Sequence, residues 1–288
     1  MNEINTLDGF CHTLQKYERT IARLLEQKYG ITAQDFMETC ILAVKKTPRL
    51  LECDPRSLFG AILLSAECGL KPNTAEQLAF ILPSKNEARF EIGYKGLIEM
   101  MYRNPRVQSI RGEVVFVNDE FDYGYGLEPY INHKPLRRGD RGALDCVYAV
   151  CKLKDAEPIF TVVEKNELDK IRAISQSSKS EFSPYNNGTD IHNFMEIKAS
   201  IKKISKLIPK SGDNSLAKAV DYDSRFEGGA RVTVDLIENP ETIVEPKIID
   251  GSYSVSNQTK SLENSFENVI SDKPVSYTHL TLPTKRIV

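Results

Sequence analysis

An α+β fold is the expectation for this 288-residue chain: a small antiparallel β-sheet packed with helices in a single core domain, followed by a disordered acidic C-terminal tail. Three observations carry it. Helical apolar periodicity and β-prone runs interleave as far as residue 210. Gly and Pro punctuation separates each run from the next. Beyond residue 210 the periodicity stops and acid prevails: residues 1–210 hold 30 Lys/Arg against 28 Asp/Glu, whereas 211–273 hold 6 against 12. The expected divisions are a core over 1–210, a flexible acidic tail over 211–273, and a separate end over 274–288.

Two amphipathic helices open the chain. Leu14, Tyr17, Ile21, Leu24 and Leu25 mark one over 7–29, and Phe36, Cys40, Ile41 and Val44 mark another over 33–47. Gly30 ends the first and Pro48 follows the second. Asp54-Pro55 supplies an N-cap and an N1 proline for a helix running to Cys68. Leu58, Phe59, Ile62, Leu63, Leu64 and Ala66 make it apolar on most sides, hence central, and Gly69 is its stop. Extended segments over 77–82 and 88–92 flank a hairpin loop. A helix over 94–102 follows, closed by Asn104-Pro105. The segment 107–118 is β-prone, 121–133 alternates aromatic with polar residues, and 144–153 pairs with 159–163. A helix over 164–175 leads into a serine-rich, mobile 175–183, and a lysine-rich helix over 194–210 closes the core. The tail has too little apolar surface to repay ordering, apart from a short helix around 262–270. Residues 275–284 resemble the translated reading frame of a library-preparation adaptor, so 274–288 is expected to be non-native read-through and is set aside.

Composition narrows the function classes. No apolar run reaches the length of a membrane span and the N-terminus has no signal-peptide core, so the expected place is the cytoplasm, with no membrane contact. The six cysteines form no CxxC pair and the four histidines offer no zinc spacing. Cys40 and Cys68 fall inside apolar helical patterns and read as small core residues. No P-loop, nucleophile elbow or metalloprotease motif occurs, and no cofactor is expected.

Five constellations could carry a function. Ile197, Ile201, Ile204 and Ile208 share one helical face, while Lys198, Lys202 and Lys206 recur at i, i+4, i+8 on nearly the opposite one, with Lys203 beside them. Like charges so spaced repel, so the row either faces solvent or holds a polyanion. Gly93-Tyr-Lys-Gly96 sits at a strand-to-helix junction, where small residues admit a strand or a ligand backbone. Tyr94 offers a stacking face there, Lys95 and the nearby Arg89 offer charge, and Gly93 and Gly96 offer backbone approach. Arg137, Arg138 and Arg141 form a basic loop. A plain glycine turn and a solvated basic loop fit the same residues. Tyr123, Tyr125 and Tyr130 read as half-buried strand residues or as base-stacking surfaces. Asp119, Glu120 and Asp122 keep open a metal-dependent nuclease.

Six blocks, in order and with similar spacing over about residues 10–210, resemble the RecT family of phage-type single-strand annealing proteins. They are Cys68-Gly-Leu-Lys-Pro-Asn73, Gln77-Leu-Ala-Phe-Ile-Leu-Pro83 and Phe90-Glu-Ile-Gly-Tyr-Lys-Gly-Leu-Ile98. Asn118-Asp-Glu-Phe121 with Gly126-Leu-Glu-Pro129 and His133-Lys-Pro135 form the fourth. Ala149-Val-Cys-Lys-Leu-Lys154 and the closing run from Met195 to Pro209 complete the set. Asn187-Gly188 depart from the family's usual Trp-Lys, and Ser200 from its threonine. The resemblance implies an ATP-independent recombinase, not an enzyme, that binds single-stranded DNA and anneals complementary strands through an annealed duplex intermediate. It implies a homo-oligomeric ring or filament, a partner exonuclease, and a tail that engages a host single-stranded-DNA-binding protein. A nucleic-acid chaperone without strand pairing is the remaining alternative.

Overall fold

The computed structural model describes residues 5–175, 178, 185–186, 190–209, 215–227, 231–233 and 247–249. The expected mobile 175–183 segment, Asn187-Gly188, the 262–270 helix and the end over 274–288 lie wholly or largely outside them.

The N-terminal layer is helical. α1 (Leu7–Lys16) is capped by Thr6, whose hydroxyl accepts from Gly9 N–H. α2 (Glu18–Tyr29) ends on Gly30 in the left-handed region. The single helix expected over 7–29 is thus two. They meet at Tyr17, where the Tyr17 N–H bonds to the Leu14 carbonyl and tightens the turn, and the Tyr17 ring stacks on Phe59. α3 (Ala33–Lys46) is capped by Thr32. A 3-10 turn (Pro48–Glu52) leads to α4 (Pro55–Glu67), capped by Asp54 and buried on nearly every side. Gly69 stops α4 at φ +60°, and Tyr29 packs so close that a Cβ there would lie 2.4 Å from its ring. Arg103 seals this corner: its guanidinium lies over the Tyr29 ring and donates to the Cys68 and Gly69 carbonyls at 2.5 and 2.9 Å.

β1 (Ala79–Ser84) and β2 (Glu87–Ile92) form an antiparallel hairpin with Ile81 opposite Phe90. α5 (Tyr94–Tyr102) follows. β3 (Val107–Phe116), β6 (Leu144–Leu153) and β7 (Ile159–Glu164) make the main antiparallel sheet in the order β3-β6-β7. β4 (Glu120–Gly124) and β5 (Tyr130–Lys134) form a separate hairpin, so the aromatic segment is two strands. α6 (Lys165–Ile174) leaves β7. α7 (Phe194–Ser205) then lies on the main sheet, with Ile197 and Ile201 pressed against Gly112, where a Cβ would sit 2.7 Å from Ile197. Asn104 pins the chain just past α7 by donating to the Pro209 carbonyl at 2.6 Å.

The core does not end at 210. α8 (Ser215–Glu227) docks against it, burying Ala219, Val220 and Asp223. Of the acids that gave this region its tail-like composition, Asp223 faces inward. Two short strands, β8 (Arg231–Thr233) and β9 (Lys247–Ile249), pair beyond it. Among the described residues no helix is long and apolar enough to cross a membrane. Cys40, Cys53, Cys68, Cys146 and Cys151 are buried with free thiols. Burial pushes the Cys146 thiol up to about 12, which keeps it protonated and unreactive.

Candidate nucleic-acid interface

α7 carries the site because its two faces have different partners. The isoleucine face supplies the burial that holds it to the sheet, with Ile201 and Ile204 fully enclosed. Its lysine face forms one wall of a cavity of about 250 Å³. Arg89 of β2 joins Lys198, Lys202, Lys203 and Lys206 in lining that cavity, with Glu91, Glu167 and Asp223 as the acidic residues. Two regions remote in sequence thus bring five cations together.

The lysines are not the open row that their spacing suggested. Lys198 and Lys202 are each 14 % exposed, and between them they hold the Asp223 carboxylate. Lys198 Nζ donates to Oδ1 at 3.0 Å and Lys202 Nζ to Oδ2 at 2.8 Å. Burial pushes the Asp223 carboxyl up, but the two ammonium groups outweigh it and hold it below the usual carboxylate range. This also removes the repulsion between Lys198 and Lys202. Lys203 is half exposed, donating to Glu167 at 2.8 Å and to the Val162 carbonyl at 3.0 Å. Lys206, at the end of the row, is exposed. Arg89 is buried, with Nη1 3.4 Å from Ser84 Oγ.

The start of α7 meets the glycine junction. Tyr94 stacks on Phe194 with ring centres 4.8 Å apart and planes 10° apart, and His192 leans on Phe194. One face of Tyr94 is therefore covered by Phe194. Burial, then Asp190, raises the Tyr94 phenol. Lys95 is exposed and donates to Gln77 at 3.1 Å. The close approach expected at Gly93 and Gly96 is made by the chain's own backbone. A Cβ on Gly96 would lie 2.0 Å from the Leu78 carbonyl, and one on Gly93 2.3 Å from that of Gln77. Of the two approaches expected there, by a strand or by a ligand backbone, the one seen on the Cβ side is that of the chain itself, which gives both glycines a packing role.

The arginine loop divides. Arg137 and Arg138 are exposed and do not line the α7 cavity. Arg141 turns inward: Nε and Nη2 grip the two oxygens of Asp119 at 2.9 and 2.5 Å, and its guanidinium covers the Phe116 ring. Its candidacy as an open DNA contact is corrected accordingly. Asp119 also accepts from the Leu136 and Phe116 N–H groups and contacts His133, so its oxygens are committed to the β4–β5 anchor. Glu120 pairs with Lys134, and Asp122 accepts from Tyr130. The acidic trio thus points into three separate contacts. Tyr125 stacks on Phe160 and accepts from Val162 N–H, and Tyr123 donates to Glu164, while Tyr125 and Tyr130 both stay exposed.

Sequence reasoning missed Asp223, Glu167 and Phe194. Phe194 was visible as an aromatic opening the lysine-rich helix. Nothing in the local pattern of 211–227 distinguished Asp223 from the other acids.

The chain is similar in sequence to known proteins. Residues 34–234 match the RecT family, a span that includes α8. Protein RecT of Escherichia coli (strain K12) is 28 % identical over 232 residues, covering 77 % of this chain and 81 % of that protein. With both sheet-forming segments from β1 to β7, the lysine helix and the docked α8 inside a matched span that covers more than half of its length, the chain belongs to the RecT family, the single-strand annealing proteins of DNA recombination.

Proposed function

We propose that the protein binds single-stranded DNA along α7 and anneals it to a complementary strand without ATP or any other cofactor. The observation that carries this reading is the convergence of Arg89, Lys198, Lys202, Lys203 and Lys206 on one cavity in a chain of an annealing family. Ammonium and guanidinium groups neutralise phosphates regardless of sequence. Contacts of that kind leave the base edges free for pairing. Lys95, Arg137 and Arg138 are further exposed cations outside the cavity, and the Tyr94–Phe194 stack offers an aromatic step at the start of α7. Pairing strands breaks no covalent bond, so the protein acts as a binding protein and not as an enzyme. The partners are single-stranded DNA, the annealed duplex intermediate and further copies of this chain in a ring or filament. A partner exonuclease supplies the strand in the cytoplasm, and the C-terminal segment contacts a host single-stranded-DNA-binding protein.

The test mixes two labelled complementary oligonucleotides in EDTA without nucleotide. The expected result is duplex formation faster than the spontaneous rate. Binding without acceleration would leave a chaperone, and strand cleavage on adding Mg²⁺ would leave a nuclease.

A further inference from the structure

Asp223 presents the lysine row with two oxygens, one on each ammonium. A phosphodiester presents two non-bridging oxygens in the same way. Resting on the reading that α7 binds DNA, we propose that Asp223 occupies a phosphate position on α7, and that α8 is a displaceable cover which single-stranded DNA lifts to reach Lys198 and Lys202.

Three observations support displacement. First, the contact is strong in charge and thin in apolar anchorage. Lys198 and Lys202 hold Asp223 in a site where it is 6 % exposed. Among the α8 side chains described, the buried apolar ones are Ala219 and Val220, both small, with Leu216 half-buried against the core and Lys218 paired with Glu67 at 2.7 Å. A helix of 13 residues is marginal by itself, so it stays folded through what it docks against. Second, part of the row is open with the cover in place. Lys206 is exposed and Lys203 half exposed, so a strand can engage them while α8 is still in place and then compete for the next two positions. Third, the competitor is matched to the ligand's chemistry. An apolar plug would leave two ammonium groups buried without a counter-charge, a costly state. A carboxylate keeps them paired until a phosphate replaces it.

Competition of this kind lowers apparent DNA affinity by the fraction of molecules whose cover is closed. It also gives the row a preference for long strands over short anions, since only a strand held at Lys203 and Lys206 delivers phosphates to Lys198 and Lys202 at high local concentration.

Two measurements on the full chain test it, with a 30-nucleotide oligothymidylate as the probe. The first is amide hydrogen exchange with and without the probe. The 215–227 amides should exchange faster when DNA is bound, while α7 amides slow. The second is fluorescence anisotropy of probe binding to Asp223→Asn, which keeps the shape and removes the charge. Its affinity should rise by roughly 5- to 150-fold, the usual span of a coupling between two sites. Unchanged or slower exchange of α8 in the wild-type protein would overturn the proposal even if Asp223→Asn did not fold. Tighter binding by the variant without faster α8 exchange would also overturn it, because the carboxylate would then only repel DNA through space. Failure of the underlying reading looks different: α7 amides would be unprotected by DNA, and Lys206→Ala would bind the probe like wild type.

Discussion

Asp119 holds the loop after β5 in place with a buried carboxylate. The Arg141 guanidinium, helped by the Leu136 and Phe116 N–H groups and His133, outweighs burial and holds its carboxyl far below the usual 3.8. A depressed carboxyl stabilises the fold above its unfolded pKa and loses that contribution as pH falls through the folded one. Asp119→Asn should therefore cost stability by a constant amount from neutral pH down to about pH 4, with the gap to wild type closing below it. Arg141 is about a third exposed, so the cost should be about 2–3 kcal/mol, under that of a fully buried pair. Urea denaturation at a series of pH values measures it. Gly96 gives a second residue-scale prediction. Gly96→Ala drives a Cβ into the Leu78 carbonyl and should cost about 2–3 kcal/mol, with the folded fraction still binding oligonucleotide normally. Normal stability combined with lost binding would return the glycine to the interface. Both residues stood out in sequence as turn chemistry and as a glycine pair, but their partners were illegible. The carbonyl above Gly96 comes from Leu78, just before β1 and 18 positions away, and Arg141 is 22 positions from Asp119.

The helix α7 was the most legible element and also the one whose surroundings changed most. Its isoleucine face predicted burial from spacing alone, and Ile197, Ile201, Ile204 and Ile208 are all buried. Its lysine face could not be assigned a partner, because helical spacing records which residues share a side and not what lies opposite. The consequence for mutagenesis is specific. Changing Lys198 and Lys202 together to alanine leaves Asp223 buried without a counter-charge and should destabilise the protein by about 3 kcal/mol. Adding Asp223→Asn should restore most of that loss, a coupling that a double-mutant cycle detects. Lys206→Ala should leave the melting temperature unchanged and flatten the plot of log K against log salt by about 0.7, one phosphate's worth for a single strand. An unchanged slope would remove Lys206 from the interface. The hairpin β1–β2, the strands β3, β6 and β7 and the Asp54 cap were all readable for the same reason as the isoleucine face: their signals are local.

For the whole molecule, the boundary is the main revision. Charge composition put it at 210, while α8 packs on the core and the family match runs to 234. A chain ending after residue 234 should melt like the full protein. One ending at 210 loses the Asp223 pairings and the burial of Val220, a loss of about 2 kcal/mol, or roughly 4–8 °C. Calorimetry of the two truncations decides between the boundaries. Composition averaged over 63 tail residues could not resolve a 13-residue helix with one inward carboxylate.

The bond from Asn104 to the Pro209 carbonyl has a kinetic meaning. It spans 105 residues, and α7 reaches back across a comparable stretch to press on Gly112. The Arg103 corner, by contrast, draws on residues 29, 68, 69 and 103, all in the first half of the chain. Closing the longer loop carries the larger entropic cost, so α7 should join late, after the N-terminal helices have assembled. Ile201→Val should then speed unfolding more than it slows folding, whereas Phe59→Leu should mainly slow folding. A chain emerging from the ribosome would thus complete its scaffold first and gain its lysine wall only when the segment through Pro209 has been released. Partly synthesised molecules would be shaped like the protein before they could hold a strand.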